Sequence, residues 1–296
     1  MSIKGFTDMK LKYFVLLIIL TYSAKAQFIE DALRYTKQNG MITPRTASMG
    51  VAYNGLVDDV GALLFNPAGL TLIKKSELSF GLGFVRNSAE TSFMNVNDLF
   101  KSNNEFINHV AVVSGFVIDG KKTSIGIGYF REGDFYNNLQ FNSLNNNSTM
   151  IASEAKFGPR NDDENWAYDM FLATKNGNNF ITPLTDSLQQ TGRISEKGGL
   201  HSVVGGISFD INENVSIGGS IIGKWGNYTY VRDYSESDIL GLYSNTPIDG
   251  YLFSKLDLKE DLTQKVSGIS GSIGVVGKYE NIDRKSTRLN SSHEWI

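Results

Sequence analysis

The chain has 296 residues, with 28 Lys and Arg against 31 Asp and Glu and a formal net charge of −3. That balance carries no basic footprint for nucleic acid. With no cysteine, neither a disulfide framework nor an acylated cysteine behind a leader is available. Glycine and aromatics are abundant while hydrophobic residues make up 41 %, which suits a barrel wall in which only alternate strand positions need be apolar.

In chain order, Lys10 and Lys12 precede the apolar run Tyr13–Leu20, and Ala24-Lys25-Ala26 forms an A-x-A cleavage site before Gln27. These are the three parts of a secretory signal peptide over residues 1–26, with Met9 opening the tidier basic region. The run is too short for a membrane-spanning helix, so the mature protein is expected to be exported. Phe28, Ile29, Ala32, Leu33 and Tyr35 then recur at helical spacing.

The stretch Thr46–Leu70, TASMGVAYNGLVDDVGALLFNPAGL, is too rich in glycine for a long helix and lacks the alternation of a strand. Asp58 and Asp59 read as acceptors for backbone turns or as partners of a basic residue in a lumen. Asn66 reads as a cap or bridge to backbone, and Pro67 as the stiff exit toward the first strand. Gly55 and Gly61 are expected where φ is positive or backbone approaches closely.

From Glu77 the period becomes two. Phe80, Leu82 and Phe84 alternate with Ser79, Gly81 and Gly83, and the same pattern returns at Ile125–Tyr129, Val215–Ile221 and Ile269–Val275. One apolar and one small or polar face is what a wall between lipid and a lumen requires. Six strands are expected: from Glu77 past Val85, then Ile107–Ile118, Thr123–Phe141, His201–Ile211, Val215–Tyr234 and Val266–Tyr279. Asp119–Lys122 and Asn212–Asn214 are tight turns. Arg86–Glu105, Leu144–Lys197 and Tyr234–Tyr251 read as long polar excursions, the asymmetry of transmembrane barrels.

Little supports catalysis. His109 and His201 stand singly at predicted strand starts, without carboxylates at metal-ligand spacing, and no nucleophile-elbow, zinc-protease or phosphate-loop motif is present. Asp162-Asp163-Glu164 lacks the spacing of a calcium loop. Neither an enzyme, a metal nor a cofactor is expected. Between Leu144 and Lys197, Trp166, Met170 and Thr174 fall at i, i+4 and i+8 beside Phe171, and Phe180, Ile181 and Leu184 follow. Such groups either form a greasy groove or cover one another over the barrel mouth, and both readings stay open here.

The elements Ala52-Tyr53-Asn54-Gly55, Asp58-Asp59 and Asn66-Pro67-Ala68-Gly69 resemble the N-terminal hatch of the FadL/TodX outer-membrane transport family. The resemblance implies an all-β fold, a transmembrane antiparallel β-barrel of which about six strands are represented (residues 77–282), plugged by a hatch over 27–76. It implies passive uptake of hydrophobic compounds such as long-chain fatty acids across a bacterial outer membrane. The partners it implies are those small molecules, outer-membrane lipid and the barrel-assembly machinery. It also implies that Asn66-Pro67-Ala68 lies near a distorted third strand, where substrate leaves sideways. Here that strand holds Gly126, Gly128 and Gly133. Gly133 interrupts the alternation and is the expected bulge, the alternative being a lumen-facing glycine that makes room for the plug. A FadL-like barrel serving secretion or surface-protein assembly, or an adhesive surface barrel, is the competing expectation. Asp283–His293, DRKSTRLNSSH, reads as a translated sequencing adaptor, so residues 283–296 are expected to be foreign and the native chain longer.

Overall fold

A computed structural model of the chain describes residues 33–35, 42–50, 58–158, 165–245, 247–248 and 250–278, and the backbone of 286–289. The predicted leader, Gly55 with the rest of 51–57, Asp162-Asp163-Glu164 and most of the tail lie outside the described residues.

The N-terminal segment forms two short helices, α1 (Pro44–Ser48) and α2 (Ala62–Phe65), and a 3-10 turn at Pro67–Leu72. Thr43 and Thr46 cap α1 reciprocally, with Pro44 in its first turn, where a missing N–H costs nothing. Asn66 ends α2 in an extended conformation (φ −153°, ψ 94°), the backbone region that a following proline imposes. Its side chain then accepts from Ala68 N and so starts the 3-10 turn.

Ten strands follow: β1 (Glu77–Phe93), β2 (Val96–Ile118), β3 (Lys121–Asp134), β4 (Asn137–Asn145), β5 (Thr174–Asn176), β6 (Asn179–Ile181), β7 (Leu188–Asn212), β8 (Val215–Ser237), β9 (Lys255–Gly277) and β10 (Ser286–Leu289). Helices α3 (Met150–Phe157) and α4 (Trp166–Asp169) lie between β4 and β5. One antiparallel sheet runs in the order β1-β2-β3-β7-β8-β9-β10, with β4 also paired to β7. The predicted third strand is thus β3 and β4, interrupted at Phe135 and Tyr136 and laid along the same partner. Among the described residues the sheet is open, with β1 and β10 at its ends. No helix among them is long and apolar enough to cross a membrane.

The sheet has two unlike faces. On one, Leu78, Phe80, Leu82 and Phe84 of β1 stand exposed beside Val110 and Val112 of β2 and Ile125 and Ile127 of β3. On β8 and β9 this face carries Ile217 to Trp225 and Val275 to Ile269, about 27 Å of strand on β8. Beyond that band it becomes polar, with Lys265, Thr263, Asp261 and Lys259 on β9. The opposite face carries Ser124, Gly126, Ser202, Gly206, Ser208, Gly218, Ser220, Ser272 and Gly274, and it holds the N-terminal segment. Val60, Leu63, Leu64 and Leu70 meet Ala111, Val113, Phe130, Val204 and Ile222 there in one buried cluster.

One of the predicted polar excursions proves to be largely strand, and another ends in one. Arg86–Glu105 is the distal half of the β1–β2 hairpin, closed by Met94 and Asn95 at φ 47° and 63°. β7 and β9 likewise begin at Leu188 and Lys255, before the predicted His201 and Val266. Past the apolar band, polar side chains occupy both faces, so no alternation of hydrophobicity marks these residues as strand. His109 and His201 consequently lie inside strands rather than at their starts.

Candidate functional site

The inner face is shaped to receive the N-terminal segment. A β-carbon on Gly126 or Gly206 would lie 3.3 or 2.9 Å from Leu63 Cδ2. One on Gly218 would lie 2.6 Å from Ala68 N, and one on Gly274 1.8 Å from Asn66 Oδ1. Four successive strands, β3, β7, β8 and β9, therefore each omit a side chain where the segment rests. Buried Asn66 also donates through Nδ2 to Val275 O at 3.4 Å. Lys122 Nζ donates to Thr71 O at 2.6 Å and to Ile73 O, and Asn108 Nδ2 donates to Ile42 O at 2.7 Å.

Within the segment, Asp59 accepts from Thr43 Oγ1 and Gly61 N, both at 2.7 Å. Gly61 has φ −62°, so close approach and not positive φ selects glycine: an added β-carbon would meet Asp59 Oδ1 at 2.9 Å. Asp58 pairs with Arg45 at 2.7 Å, a base of the segment itself rather than of the wall. Pro67, Ala68 and Gly69 are buried with Asn66. Asn66, Pro67 and Ala68 rest on Gly218 and Gly274 of β8 and β9, whereas Leu63 reaches Gly126 on the third strand. The expected neighbourhood of Asn-Pro-Ala is therefore shifted along the sheet.

The β2–β3 ladder is interrupted. Pairing of β2 with β3 ends at His109 and Phe130, although both strands continue. Each strand bulges beside that point: Asn108 is the extra residue of β2 and Glu132 that of β3, between Arg131 and Gly133. Gly133, the expected bulge, is itself paired with Leu200, the extra residue being Glu132, and a β-carbon on Gly128 would meet Ala111 Cβ at 2.7 Å and Phe130 Cε2 at 2.8 Å.

Side chains cross the break in the ladder. The Arg131 guanidinium lies 4.2 Å from the Phe106 ring centroid and pairs with Asp134 at 2.8 Å, and Asp134 also accepts from Asn104 Nδ2 at 2.9 Å. Farther along, Asn87 Nδ2 donates to Tyr136 O, and Phe93 packs on Phe141 at 4.7 Å between centroids. Behind the bulge, Glu132 and Lys224 form an ion pair at 2.9 Å with side-chain exposures of only 2 % and 10 %. Among the described residues Glu132 Oε1 and the hydroxyls of Ser124, Ser202 and Ser208 are buried without a partner, and His109, wholly buried, meets Ser79 Oγ at 2.8 Å. Sequence reading missed Arg131, Glu132 and Lys224, because a lone charge in an alternating strand signals its partner only through register.

Beyond the wall, the chain between β4 and β7 folds into a cap with residues of the β8–β9 connection. Phe180 and Leu184 are buried in it with Ile151, Leu188, Ile248 and Phe253, and Trp166 packs against them. Met170, Phe171 and Ile181 are exposed. Most of the apolar groups in this stretch thus cover one another, and the helical spacing from Trp166 stops at Asp169, with Phe171 at φ 58°. Buried Glu236 of β8 ties the cap to the wall, accepting from Met150 N at 2.6 Å, Ile151 N at 3.3 Å, Gln190 Nε2 at 2.7 Å and Tyr234 OH at 2.8 Å. Burial first, and then the adjoining Glu236 carboxylate, push the Tyr234 phenol above its ordinary value. Among the described residues no three His, Asp or Glu side chains converge as metal ligands.

Comparison with protein-family models, with curated proteins and with solved structures finds no match.

Proposed function

We propose that this chain is the plugged wall of an outer-membrane passage for hydrophobic compounds, long-chain fatty acids among them, with a sideways exit between β2 and β3. The observation that carries the reading is the end of the β2–β3 ladder at His109 and Phe130 in a wall whose outer face is apolar at that level. A slot at that height would join the interior to the hydrocarbon of a membrane. The N-terminal segment, seated on glycines of four strands, serves as the stopper, and the likeness of Thr46–Leu70 to the FadL/TodX hatch supports the same reading.

An apolar ligand gains roughly 0.8 kcal/mol for each methylene taken out of water. Interior sites followed by a lateral exit spare it an unaided crossing of a polar outer leaflet. The test is uptake of a fluorescent long-chain fatty acid by cells that lack their own transporter. Cells carrying the chain should take it up, and Gly133→Trp, which crowds the bulge against Leu200, should slow uptake while the protein still reaches the membrane. Removing residues 28–70 should instead admit small hydrophilic solutes. Uptake no faster than in empty cells would remove the proposal.

A second reading, a barrel that assists secretion or surface-protein assembly, is favoured by exposed Leu240, Leu242, Tyr251 and Leu252 on the cap. Absence of ligand binding together with co-purification of a secreted protein would select it.

A further inference from the structure

Glycine inside a strand weakens it, so a cluster of glycines calls for a reason. On the inner face the reason is the N-terminal segment. On the outer face Gly205, Gly219, Gly223 and Gly271 form a second cluster, and there the space of the missing β-carbons is open. Among the described residues nothing lies within 4 Å at Gly205, and only strand carbonyls, at 3.5 to 3.9 Å, at the other three. These four glycines surround Ile221, which stands 71 % exposed. The hollow there measures about 1400 Å³ and is walled by isoleucines, Ile207 and Ile273 among them.

The order of residues along the β8–β9 seam identifies the occupant. Three successive outward pairs are Gly219 with Ile273, Ile221 with Gly271, and Gly223 with Ile269. Knob and hole exchange strands at every step. A twofold axis running between β8 and β9, parallel to them, lays each isoleucine of one copy over a glycine of the other. Ile221 then meets the partner's Gly271, Ile273 the partner's Gly219, and Ile269 the partner's Gly223.

We propose that this outer surface pairs with a second copy of the chain across the β8–β9 seam. The hollow extends over five strands and about three outward rows, roughly 500 Å² per copy from the strand spacing. Two copies would bury about 1,000 Å², the smallest area expected of a specific interface. Such a contact has a driving force in either medium. Facing water, an exposed apolar patch is covered by association. Facing lipid, small residues that let backbones approach closely favour self-association, as between membrane helices. An acyl chain would fill the hollow as well, but it gives no reason for glycine and isoleucine to alternate between two strands in register. The proposal stands apart from the transport reading and survives its failure.

The 296 residues hold no cysteine, so among them the introduced thiols are the only ones that can cross-link. Full-length Ile221→Cys and Gly271→Cys proteins, purified in detergent, are mixed and mildly oxidised. The mixture should yield a disulfide dimer several-fold in excess of either protein alone and of a Leu78→Cys control on β1. In sedimentation, Gly271→Leu should weaken dimerisation of the otherwise unaltered chain at least tenfold while its strand circular dichroism is retained. A chain that sediments as a monomer at all concentrations, or cross-linking no greater than the Leu78→Cys control, would overturn the proposal. So would equal quenching of a fluorophore at positions 271 and 78 by bromine-bearing acyl chains, which would assign the hollow to lipid.

Discussion

At position 274 a methyl group would have to occupy the place of Asn66 Oδ1, 1.8 Å from the ideal β-carbon. Gly274→Ala is therefore expected to unseat Asn66 and cost about 1–3 kcal/mol, the usual range for forced overpacking. Gly205→Ala, facing open space, should cost far less, and thermal unfolding in detergent compares the two. The Glu132–Lys224 pair allows a sharper contrast. Lys224→Met leaves a carboxylate buried without its cation, a change of about 3–5 kcal/mol, whereas Glu132→Leu with Lys224→Met should recover most of that loss. If the double variant is no more stable than the single one, burial of the charge is not what matters at this site. Tyr234 supplies a pH dependence. Its folded value lies above the ordinary 10.0, so the stability it contributes is complete below pH 10 and is lost as pH rises through the folded value. Unfolding midpoints should therefore fall above pH 10, with a shallower slope in Tyr234→Phe.

Buried polar groups help to join the elements of this molecule. The cap depends on Glu236, whose two oxygens receive four donors from α3, β7 and β8. Glu236→Ala leaves buried donors unpaired, at about 1–3 kcal/mol. Limited proteolysis within residues 146–187 should accelerate about tenfold or more, while the circular dichroism of the wall strands is unchanged. Equal cleavage rates would mean that the apolar cluster around Leu184 holds the cap without it. The β1–β2 hairpin behaves differently. Its distal half has left β3 and leans on Tyr136 through Asn87 and on β4 through Thr91 and Phe93, so the gap between the β2 and β3 ladders is crossed by side chains where a backbone ladder would otherwise run.

At the scale of the whole molecule, the tight turns Asp119–Gly120 and Asn212–Asn214 lie at one end of the strands and the cap at the other. If the chain spans an outer membrane as proposed, epitope tags between Ile239 and Asn245 should be reached by antibody on intact cells. Tags at Asp119–Gly120 should be reached only after permeabilisation. The opposite labelling pattern would reverse the orientation, and labelling at both ends of intact cells would remove the membrane from the account.

Much of the wall could be read directly from the sequence. Period-two alternation at Phe80–Phe84, Ile125–Tyr129, Val215–Ile221 and Ile269–Val275 located four strands, because each of these stretches has one apolar face and one small or polar face. Asn66 as a cap and backbone bridge, and Asp59 as an acceptor from a glycine turn, followed from local chemistry that needs only a few neighbouring residues. The strand extensions at Arg86–Glu105 and Leu188–Lys197 left no such trace, since side chains that are polar on both faces carry no period. What only the tertiary structure decided is which residues meet across strands. Glu132 finds Lys224, Arg131 reaches Phe106, and glycines of four strands come to lie under Leu63, Asn66 and Ala68 because hydrogen-bond register and two bulges place them there. Register is a property of pairs of distant segments, and a one-residue bulge resets it for everything beyond.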